Sequence, residues 1–234
     1  MIEKLKPILD KNGIILDSST YAKLEAFNEM LLEANKKTDL TNIKPEDMHI
    51  MHYADSILPL ANKDLFLKGS SCIDVGTGAG FPGMPLAIVR SDMQFCLLDS
   101  LKKRCSFLQY AVNELCIKNV QVIHMRAEDA ARGALRESFD IAVSRALAPM
   151  NVLLEYMIPF VKTGGRALCW KGPQIFNEML DSLSALEILC STPDGLYKIP
   201  LDGLEHNVQA ILKIKPSPNK YPRRAGTPSK KPLV

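Results

Sequence analysis

The spacing of apolar residues divides the chain near residue 70. Before that point, apolar positions recur every three or four residues, as they do on the buried face of an amphipathic helix. The predicted helices are 2–12, a second with the buried stripe Tyr21, Leu24, Phe27 and Leu31, and a third that begins at Pro45. Residues 1–65 are therefore predicted to form an N-terminal helical cap.

From Ser70 onward, short apolar runs alternate with helical patterns. The predicted strands lie near 71–75, 94–99, 119–124, 139–144 and 164–170, and a last pair near 186–199 and 207–215 resembles an antiparallel hairpin at a sheet edge. Such alternation is typical of an α/β protein with a doubly wound, mostly parallel sheet. Residues 66–215 are therefore predicted to form a Rossmann-like domain with seven strands.

The turn after the first predicted strand is rich in glycine. The strand ends at Asp74, and glycines follow at positions 76, 78, 80 and 83. Glycine is needed where the backbone adopts a positive φ or where a ligand approaches main-chain atoms. The turn predicts a nucleotide site, although a tight turn without a ligand is an alternative. The candidate contacts are Asp74, Gly76, Thr77, Gly78, Gly80 and Phe81.

Two classes of nucleotide fit this turn. The stretch Gly78 to Gly83 also matches the G-x-G-x-x-G pattern of dinucleotide folds. A pyrophosphate on the helix N-terminus, however, places negative charge beside the carboxylate of Asp74. S-adenosylmethionine (SAM) has no phosphate, and its ammonium and sulfonium groups are cationic. Asp74 therefore favours SAM over a nicotinamide or flavin dinucleotide.

The ends of the next two strands supply further acidic candidates. Asp99, followed by Ser100 and Leu101, lies where a carboxylate accepts the hydroxyls of a ribose. The alternative for Asp99 is a cap of the following helix. After the third strand, Ala127 and Glu128 provide a main-chain amide and a carboxylate that can hold an adenine. Their alternative is an acidic first helical turn, which the helix dipole favours.

Two cations follow the fourth and fifth strands. Arg145 lies at the predicted meeting point of the reactants, where it can bind the methionyl carboxylate or an RNA phosphate bidentately. We predict that it positions substrate or cofactor and that no general base is needed; a salt bridge to a neighbour is the alternative. Lys171 places a second cation on the same rim, unless it is a surface lysine whose stem packs on the protein.

The fourth strand end also narrows the chemistry. Methylation of exocyclic amines uses an Asn/Asp-Pro-Pro-aromatic turn, whereas Ser144-Arg145-Ala146 stands there. Methylation at C5 of a pyrimidine needs a nucleophilic cysteine, and no cysteine follows the fourth or fifth strand at a helical turn. A ring nitrogen with its own lone pair, such as guanine N7, needs neither. Alignment of the reactants then supplies most of the acceleration.

Composition limits the class of protein. The sequence shows no run of about 18 apolar residues and no signal-peptide pattern, so we expect a cytoplasmic protein without a membrane span. The six cysteines form no Cys-x-x-Cys and the four histidines are scattered, which predicts reduced thiols and no metal site. Seven of the 29 Lys and Arg residues lie between Lys213 and Val234, where there are no acids. The rest of the chain has 22 basic against 26 acidic residues.

This charge division assigns a role to the C-terminal tail, residues 216–234. Basic and proline-rich, the tail is predicted to be an extended, solvated segment that packs poorly and attracts RNA to an acidic body. Deletion of Tyr221 to Val234 is expected to weaken RNA binding, to flatten its salt dependence and to leave cofactor binding unchanged; an inert terminus is the alternative. The predicted RNA contacts are Lys102, Lys103, Arg104, Lys171, Arg223 and Arg224.

A set of motifs in this order resembles a known family, the ribosomal RNA small subunit methyltransferase G proteins, also called glucose-inhibited division protein B. The motifs are Asn35 with Asp39-Leu40-Thr41, His52 to Ser56, Asp74 to Gly83, Leu98 to Arg104, Phe107-Leu108, Ala127-Glu128, Ser144 to Ala146 and Lys171-Gly172. The tail from Tyr221 to Pro232 looks like that of the Gram-positive branch. One departure is Ala34, where the family usually has tryptophan.

The resemblance implies a SAM-dependent enzyme that methylates N7 of a guanine in the decoding-region loop of 16S ribosomal RNA. Its partner is then 16S rRNA or the small ribosomal subunit, and we expect a monomer. The alternatives are a non-catalytic, SAM-sensing RNA-binding protein and a NAD-dependent oxidoreductase, which the lack of a Tyr-x-x-x-Lys after the fourth strand disfavours. The implied cofactor contacts are Gly76, Gly78, Phe81, Asp99, Ser100, Ala127, Glu128 and Arg145.

Overall fold

A computed structural model describes residues 1–201 and 203–233 and shows an α/β chain with a seven-stranded sheet. The strands are β1 (Ser71–Val75), β2 (Gln94–Asp99), β3 (Val120–His124), β4 (Phe139–Arg145), β5 (Val161–Lys171), β6 (Ser191–Lys198) and β7 (Asn207–Lys213). Their order in the sheet is β3-β2-β1-β4-β5-β7-β6. Strands β1 to β5 pair in parallel, and β7 runs antiparallel to both of its neighbours.

Helices cover both faces of this sheet. The α-helices are α1 (Ile2–Lys11), α2 (Ser18–Asn35), α3 (Asp55–Ile57), α4 (Gly83–Val89), α5 (Lys102–Glu114), α6 (Ala127–Ala130), α7 (Met150–Met157), α8 (Ile175–Leu180), α9 (Leu183–Ile188) and α10 (Thr227–Lys230). The 3-10 helices are Pro45–Asp47, Leu58–Ala61 and Ile158–Phe160, and His49–Ala54 is a π-helix. Across residues 1–201 and 203–233, no helix has the length and apolar content of a membrane span.

The two faces of the sheet bury separate apolar clusters because successive strand side chains point in opposite directions. In β1, Cys72 packs with the cap helices, α4 and α5, whereas Ile73 packs with α7 and α9. Full burial of a large apolar side chain contributes about 1.5–3 kcal/mol. Phe27 of α2 is completely buried on the first face, so the cap is part of the hydrophobic core.

The predicted fold class is confirmed, with local differences at the end of the sheet. The strand predicted from residue 186 begins at Ser191, because 183–188 form α9. The last two strands pair as an antiparallel hairpin, as expected. Of these two strands, β6 lies at the sheet edge and β7 lies between β6 and β5.

The third predicted helix is a series of irregular turns. After Pro45 the chain passes through 3-10, π and α turns up to Ala61. Carbonyls in this stretch bond to groups outside the usual helical pattern: that of Met51 accepts from Arg145, and that of His52 accepts from the Ser56 hydroxyl. Such π turns are frequent at functional sites.

The prediction of an extended, solvated tail is wrong. Tyr221 and Leu233 are buried in the second apolar cluster. Arg136 donates to the Ser217 and Tyr221 carbonyls, each at 2.7 Å. Arg132 donates to the Pro222 carbonyl at 2.9 Å. The tail packs because charged donors satisfy its backbone, a long-range effect that its own composition does not reveal.

Candidate functional site

The glycine turn after β1 is organised by Asp74. This side chain is fully buried, and its Oδ2 accepts from Thr77 Oγ1 at 2.7 Å and from the Gly83 amide at 2.8 Å. Gly83 is so close that a Cβ there would overlap Asp74 and Leu97. Burial raises the pKa of Asp74 to about 6, although both hydrogen bonds oppose the rise. Asp74 therefore shapes the turn, and its interaction with a cofactor stays a prediction.

Asp99, at the end of β2, connects this turn to α5. Its Oδ2 accepts from the Gly78 amide at 2.9 Å and from Arg104 at 3.4 Å, and its Oδ1 accepts from the Leu101 amide at 2.8 Å. An ionised carboxylate accepts about four hydrogen bonds, so capacity for a ligand hydroxyl remains. The N-cap residue of α5 is Leu101, and no side chain among the described residues caps this helix. The cap alternative for Asp99 is therefore wrong, and the ribose contact stays a prediction.

A smaller cavity of about 240 Å³ opens beside Asp99. It presents two buried carboxylates, Asp99 and Glu128, near its walls. The hydroxyls and amine of an adenosine are hydrogen-bond donors, which such acceptors match. The residues present therefore fit the adenosine part of SAM. The lining is Gly76, Leu98, Asp99, Ser100, Leu101, Arg104, Met125, Arg126, Ala127, Glu128, Leu147 and Tyr156.

Several predicted cofactor contacts lie elsewhere. Thr77 is buried and bonded to Asp74. Phe81 is buried against the cap, where its ring stacks on His52 with centroids 4.1 Å apart and planes 6° apart. Gly80 packs beside Phe27. These residues support the turn, and their direct contact with a cofactor stays a prediction.

A larger cavity of about 760 Å³ lies at the C-terminal ends of β4 and β5. Leu147 lines both cavities, and its side chain fills the space that a Cβ on Gly76 would need. The preceding Ala146 has a φ of 54°, a strained value for a residue other than glycine. This turn makes Leu147 a partition between the cavities. The larger cavity is lined by Ile43, Met51, His52, Asp55, Arg145, Ala146, Leu147, Ala148, Pro149, Trp170, Lys171, Gly172, Glu178 and His206.

Arg145 joins the sheet to the helical cap at this larger cavity. Its Nη1 donates to the Met51 carbonyl at 2.7 Å and to Asp55 Oδ2 at 2.5 Å, and its Nη2 donates to His52 Nδ1 at 2.8 Å. Its guanidinium carbon lies 5.5 Å from the centroid of the Phe81 ring. The salt-bridge alternative is therefore observed. Arg145 lines the larger cavity, and its contact with a ligand stays a prediction.

The two histidines beside Arg145 have opposite pKa shifts. Burial, together with the charge of Arg145, lowers the pKa of His52 to about 3. His52 is therefore neutral, so its Nδ1 accepts from Arg145 while Nε2 donates to Thr41 Oγ1 at 2.8 Å. His206 lies 2.8 Å from Asp55 Oδ1, and this hydrogen bond raises its pKa, although burial and Arg145 oppose the rise.

The sequence did not predict the hydrogen-bond network that surrounds Arg145. Asn35 holds the loop that follows α2, because its Oδ1 accepts hydrogen bonds from the Leu40 and Thr41 amides. That loop in turn presents Thr41 to His52. Asn35, Thr41, His52 and Asp55 occur in the family motifs, and their recurrence is the one signal available in the sequence. Nothing in the local pattern indicates that they meet Arg145.

The six predicted RNA contacts fall into two groups. The exposed ones are Lys102, Lys103 and Arg224. The others bond within the protein: Arg104 to Asp99, Lys171 to Glu178 and the Ala148 carbonyl, and Arg223 to Glu155. The charges of this second group are partly compensated by carboxylates. Among the residues that the structure describes, no three His, Cys, Asp or Glu residues are grouped as a metal site.

The fold is one shared with solved SAM-dependent methyltransferases. A SAM-dependent methyltransferase from Aquifex aeolicus matches with a TM-score of 0.53 at 17% identity, over 78% of this chain and 98% of that one. M. jannaschii TYW2, solved in complex with AdoMet, matches with a TM-score of 0.54 at 16% identity, over 70% of this chain and 79% of that one. At these identities the similarity concerns the fold.

Sequence relatives define the family. Residues 20–193 match the family model of rRNA small subunit methyltransferase G, GidB. The ribosomal RNA small subunit methyltransferase G of Clostridium perfringens strain SM101 is 45% identical over 233 residues, 98% of this chain and 97% of that protein. Its namesake in Leuconostoc citreum is 42% identical over 237 residues, 100% of this chain and 99% of that protein.

The chain therefore belongs to the rRNA small subunit methyltransferase G family, as its motifs predicted. SAM, the cofactor predicted from the sequence, is the one that this family and this fold support. Family membership also sets aside the oxidoreductase alternative.

Proposed function

We propose that this protein transfers the methyl group of SAM to N7 of a guanine in the decoding-region loop of 16S ribosomal RNA. The supporting observation concerns the titratable groups of the larger cavity. His52 and Asp55 bond to Arg145, His206 bonds to Asp55, and Glu178 bonds to Lys171. Within residues 1–201 and 203–233, these groups are thus already committed, which suits an acceptor that loses no proton.

When bound in the smaller cavity, SAM supplies an electrophilic methyl group, whose bonding electrons stay with sulfur as the guanine N7 lone pair forms the new C–N bond. The guanine becomes positively charged, so an excess of cations around it would oppose the reaction. Asp55 compensates Arg145, and Glu178 compensates Lys171. The larger cavity therefore carries directed hydrogen-bond donors without a large positive excess.

The shape of the larger cavity also suits a base taken out of its stack. Trp170 is 4% exposed and is fixed by a 2.9 Å hydrogen bond from Nε1 to the Asp55 carbonyl. Ile43, Met51 and Leu147 add apolar surface, and the charged pairs add polar groups. Pockets for extruded bases combine apolar walls with a few hydrogen-bonding groups. Alignment of the base with the methyl group then falls to this rigid cavity.

The test is methylation in vitro of 16S rRNA and of small subunits purified from cells that lack the protein. Nucleosides are analysed by mass spectrometry, and the position is read by borohydride reduction and aniline cleavage, which is specific to N7-methylguanine. We expect one methyl group at N7 in the decoding-region loop. Arg145→Ala is the site variant, and Arg90→Ala, on a partly exposed ion pair with Asp92, is its control.

The experiment also separates the alternatives. A methyl group at another atom or another loop would contradict the proposed specificity. SAM binding without transfer to either substrate would support the non-catalytic, SAM-sensing RNA-binding protein. Comparison of the two substrates shows whether naked RNA or the subunit is preferred, and we expect the reaction to occur in the cytoplasm with a monomeric enzyme.

A further inference from the structure

The C-terminal segment, residues 216–233, lies behind one wall of the smaller cavity. Helix α6 carries Glu128 to that cavity, and α7 carries Tyr156 to it. Helix α10 of the segment packs on α7. Burial raises the pKa of Tyr156, and a hydrogen bond with Ser229 of the segment partly opposes that rise. The segment therefore contacts α7, which forms one part of this wall.

Arg223 binds the segment to α7 through a buried carboxylate. Glu155 is completely buried, and its oxygens accept from the Arg223 amide at 2.7 Å, from Nε at 3.0 Å and from Nη2 at 2.6 Å. A buried carboxylate is tolerated only when donors compensate its charge. Glu155 directly precedes Tyr156, so this pair fixes the part of α7 that faces the smaller cavity.

Gly226 contacts a residue of the smaller cavity directly. Its amide donates to Glu128 Oε1 at 2.7 Å, and the Glu128 side chain is only 3% exposed. Gly226 has a φ of 80°, a left-handed conformation that costs free energy for other residues. With one oxygen held by the segment, the carboxylate of Glu128 keeps a defined orientation towards the cavity.

We propose that residues 216–233 are a positioning element for cofactor binding, which holds Glu128 and α7 so that the adenine end of SAM meets a preorganised acceptor. A carboxylate that is already oriented loses less freedom when it binds the adenine amine. The proposal reverses the expectation that the tail leaves the cofactor site unchanged. It rests on SAM as the cofactor and is independent of which RNA atom is methylated.

The test compares two point variants of the full chain, Arg223→Ala and Gly226→Ala. An alanine Cβ at position 226 meets no atom within 4 Å, so the second variant strains the backbone without a clash. The matched control is Lys230→Ala, which removes an exposed charge from the same segment. Dissociation constants are measured by calorimetry for S-adenosylhomocysteine and for 5′-methylthioadenosine, which lacks the amino-acid part.

We expect both dissociation constants to rise about tenfold in Arg223→Ala and in Gly226→Ala, the scale of one charge-assisted hydrogen bond. Lys230→Ala is expected to bind as the wild type does. In a Glu128→Ala background, Gly226→Ala should add almost nothing, because coupled residues are not additive. If Gly226 acted only on folding, the effects of the two substitutions on the dissociation constants would add.

Circular dichroism at the assay temperature establishes that each variant is folded, and Arg223→Lys, which keeps a charge beside Glu155, replaces Arg223→Ala if that protein unfolds. A lower melting temperature with unchanged dissociation constants for both ligands would overturn the proposal. So would a loss of affinity for S-adenosylhomocysteine alone, since the effect would then lie outside the adenosine end. Neither the dissociation constants nor the melting temperature depends on methyl transfer. A failure of this proposal can therefore be distinguished from a failure of the proposed RNA specificity.

Discussion

Arg145, the last residue of β4, donates a 2.5 Å hydrogen bond to Asp55, which lies 90 positions earlier in the helical cap. The same aspartate bonds to His206 through its other oxygen and accepts from Trp170 of β5 through its carbonyl. One cap residue thus joins three segments that reach the C-terminal edge of the sheet. The cap is therefore a wall of the larger cavity and is bonded to the domain that it covers.

Replacement of Arg145 should affect turnover more than cofactor affinity. Arg145→Ala removes the donors that align the cap with β4, and misalignment of reactants costs about 10²-fold in rate. The measurements are single-turnover methylation of rRNA and calorimetry with SAM. Arg166→Ala, in the middle of β5 and paired with Asp194 of β6, serves as the control.

Wild-type methylation by Arg145→Ala would show that its proposed role is wrong. A parallel loss of SAM affinity would instead make Arg145 a cofactor contact. If SAM affinity persists while methylation falls, Arg145 acts on the placement of the RNA.

His206 should make stability depend on pH near neutrality. Its pKa is raised above 6.5 by the hydrogen bond to Asp55, so the folded state binds the proton more tightly. The resulting stability is complete below pH about 6.5 and is lost as the pH rises through the higher folded pKa. Relative to His206→Gln, the wild type should lose less than about 1 kcal/mol between pH 6 and 8, because the imidazole is partly exposed. Urea denaturation at several pH values measures this, and a constant difference would contradict it.

Asp74 should make stability depend on pH in the same direction as His206 but at lower pH, because its pKa is also raised in the folded state. Burial raises its pKa from 3.8 to about 6, so the unfolded chain releases this proton first, and stability falls as the pH rises from about 4 to about 6. Asp74→Asn keeps an acceptor for Thr77 and Gly83 without the charge. It should raise the free energy of unfolding at pH 8 by about 1–3 kcal/mol and remove this step. SAM should also bind about tenfold more weakly, the scale of a lost charge interaction.

Asp140 provides a control, because its contribution to stability should change with pH in the opposite direction to that of Asp74. Burial acts to raise the pKa of Asp140, but hydrogen bonds from Lys162 and Ser71 outweigh it and lower the pKa. Asp140→Asn should therefore remove a stability that the wild type keeps above pH about 4 and loses as the pH falls. Identical pH profiles for the two variants would contradict both assignments.

Asp99 should be important for cofactor binding. Asp99→Ala removes the predicted ribose acceptor and leaves the Gly78 amide without its partner. SAM binding should weaken by about 1.5–3 kcal/mol, the scale of charge-assisted hydrogen bonds, and calorimetry measures it. NADH should give no heat of binding with the wild type. Tight NADH binding without SAM binding would contradict the assignment of SAM as the cofactor.

The exposed and the paired basic residues should differ in RNA binding. Lys102→Ala with Lys103→Ala removes two exposed cations, so the salt slope of single-stranded RNA binding should fall by about 0.7 for each lost phosphate contact. Arg223→Ala should leave the slope nearly unchanged, because Glu155 already compensates that cation. Filter binding at several salt concentrations tests this. A larger change in Arg223→Ala would mean that the tail contacts RNA.

Prediction from sequence succeeded where the signal was local. The parallel strands up to β5 were found because short apolar runs alternate with helical periods, and the glycine turn was found because positive φ restricts residue choice. It failed where a partner far along the chain decides the outcome. The composition of the tail predicts a solvated segment, yet hydrogen bonds to Arg136 and Glu155 hold it against the rest of the protein.

The sequence by itself determined the α/β class, the acidic residues at the ends of β1 and β2, and the family, since each depends on residue type and spacing along the chain. Only the tertiary structure decided that Asp55 compensates Arg145, that Leu147 separates two cavities and that Gly226 orients Glu128. These relationships arise from the packing of elements distant in sequence. Hydrogen bonds and ion pairs act over a few ångströms, so their partners are chosen by the fold.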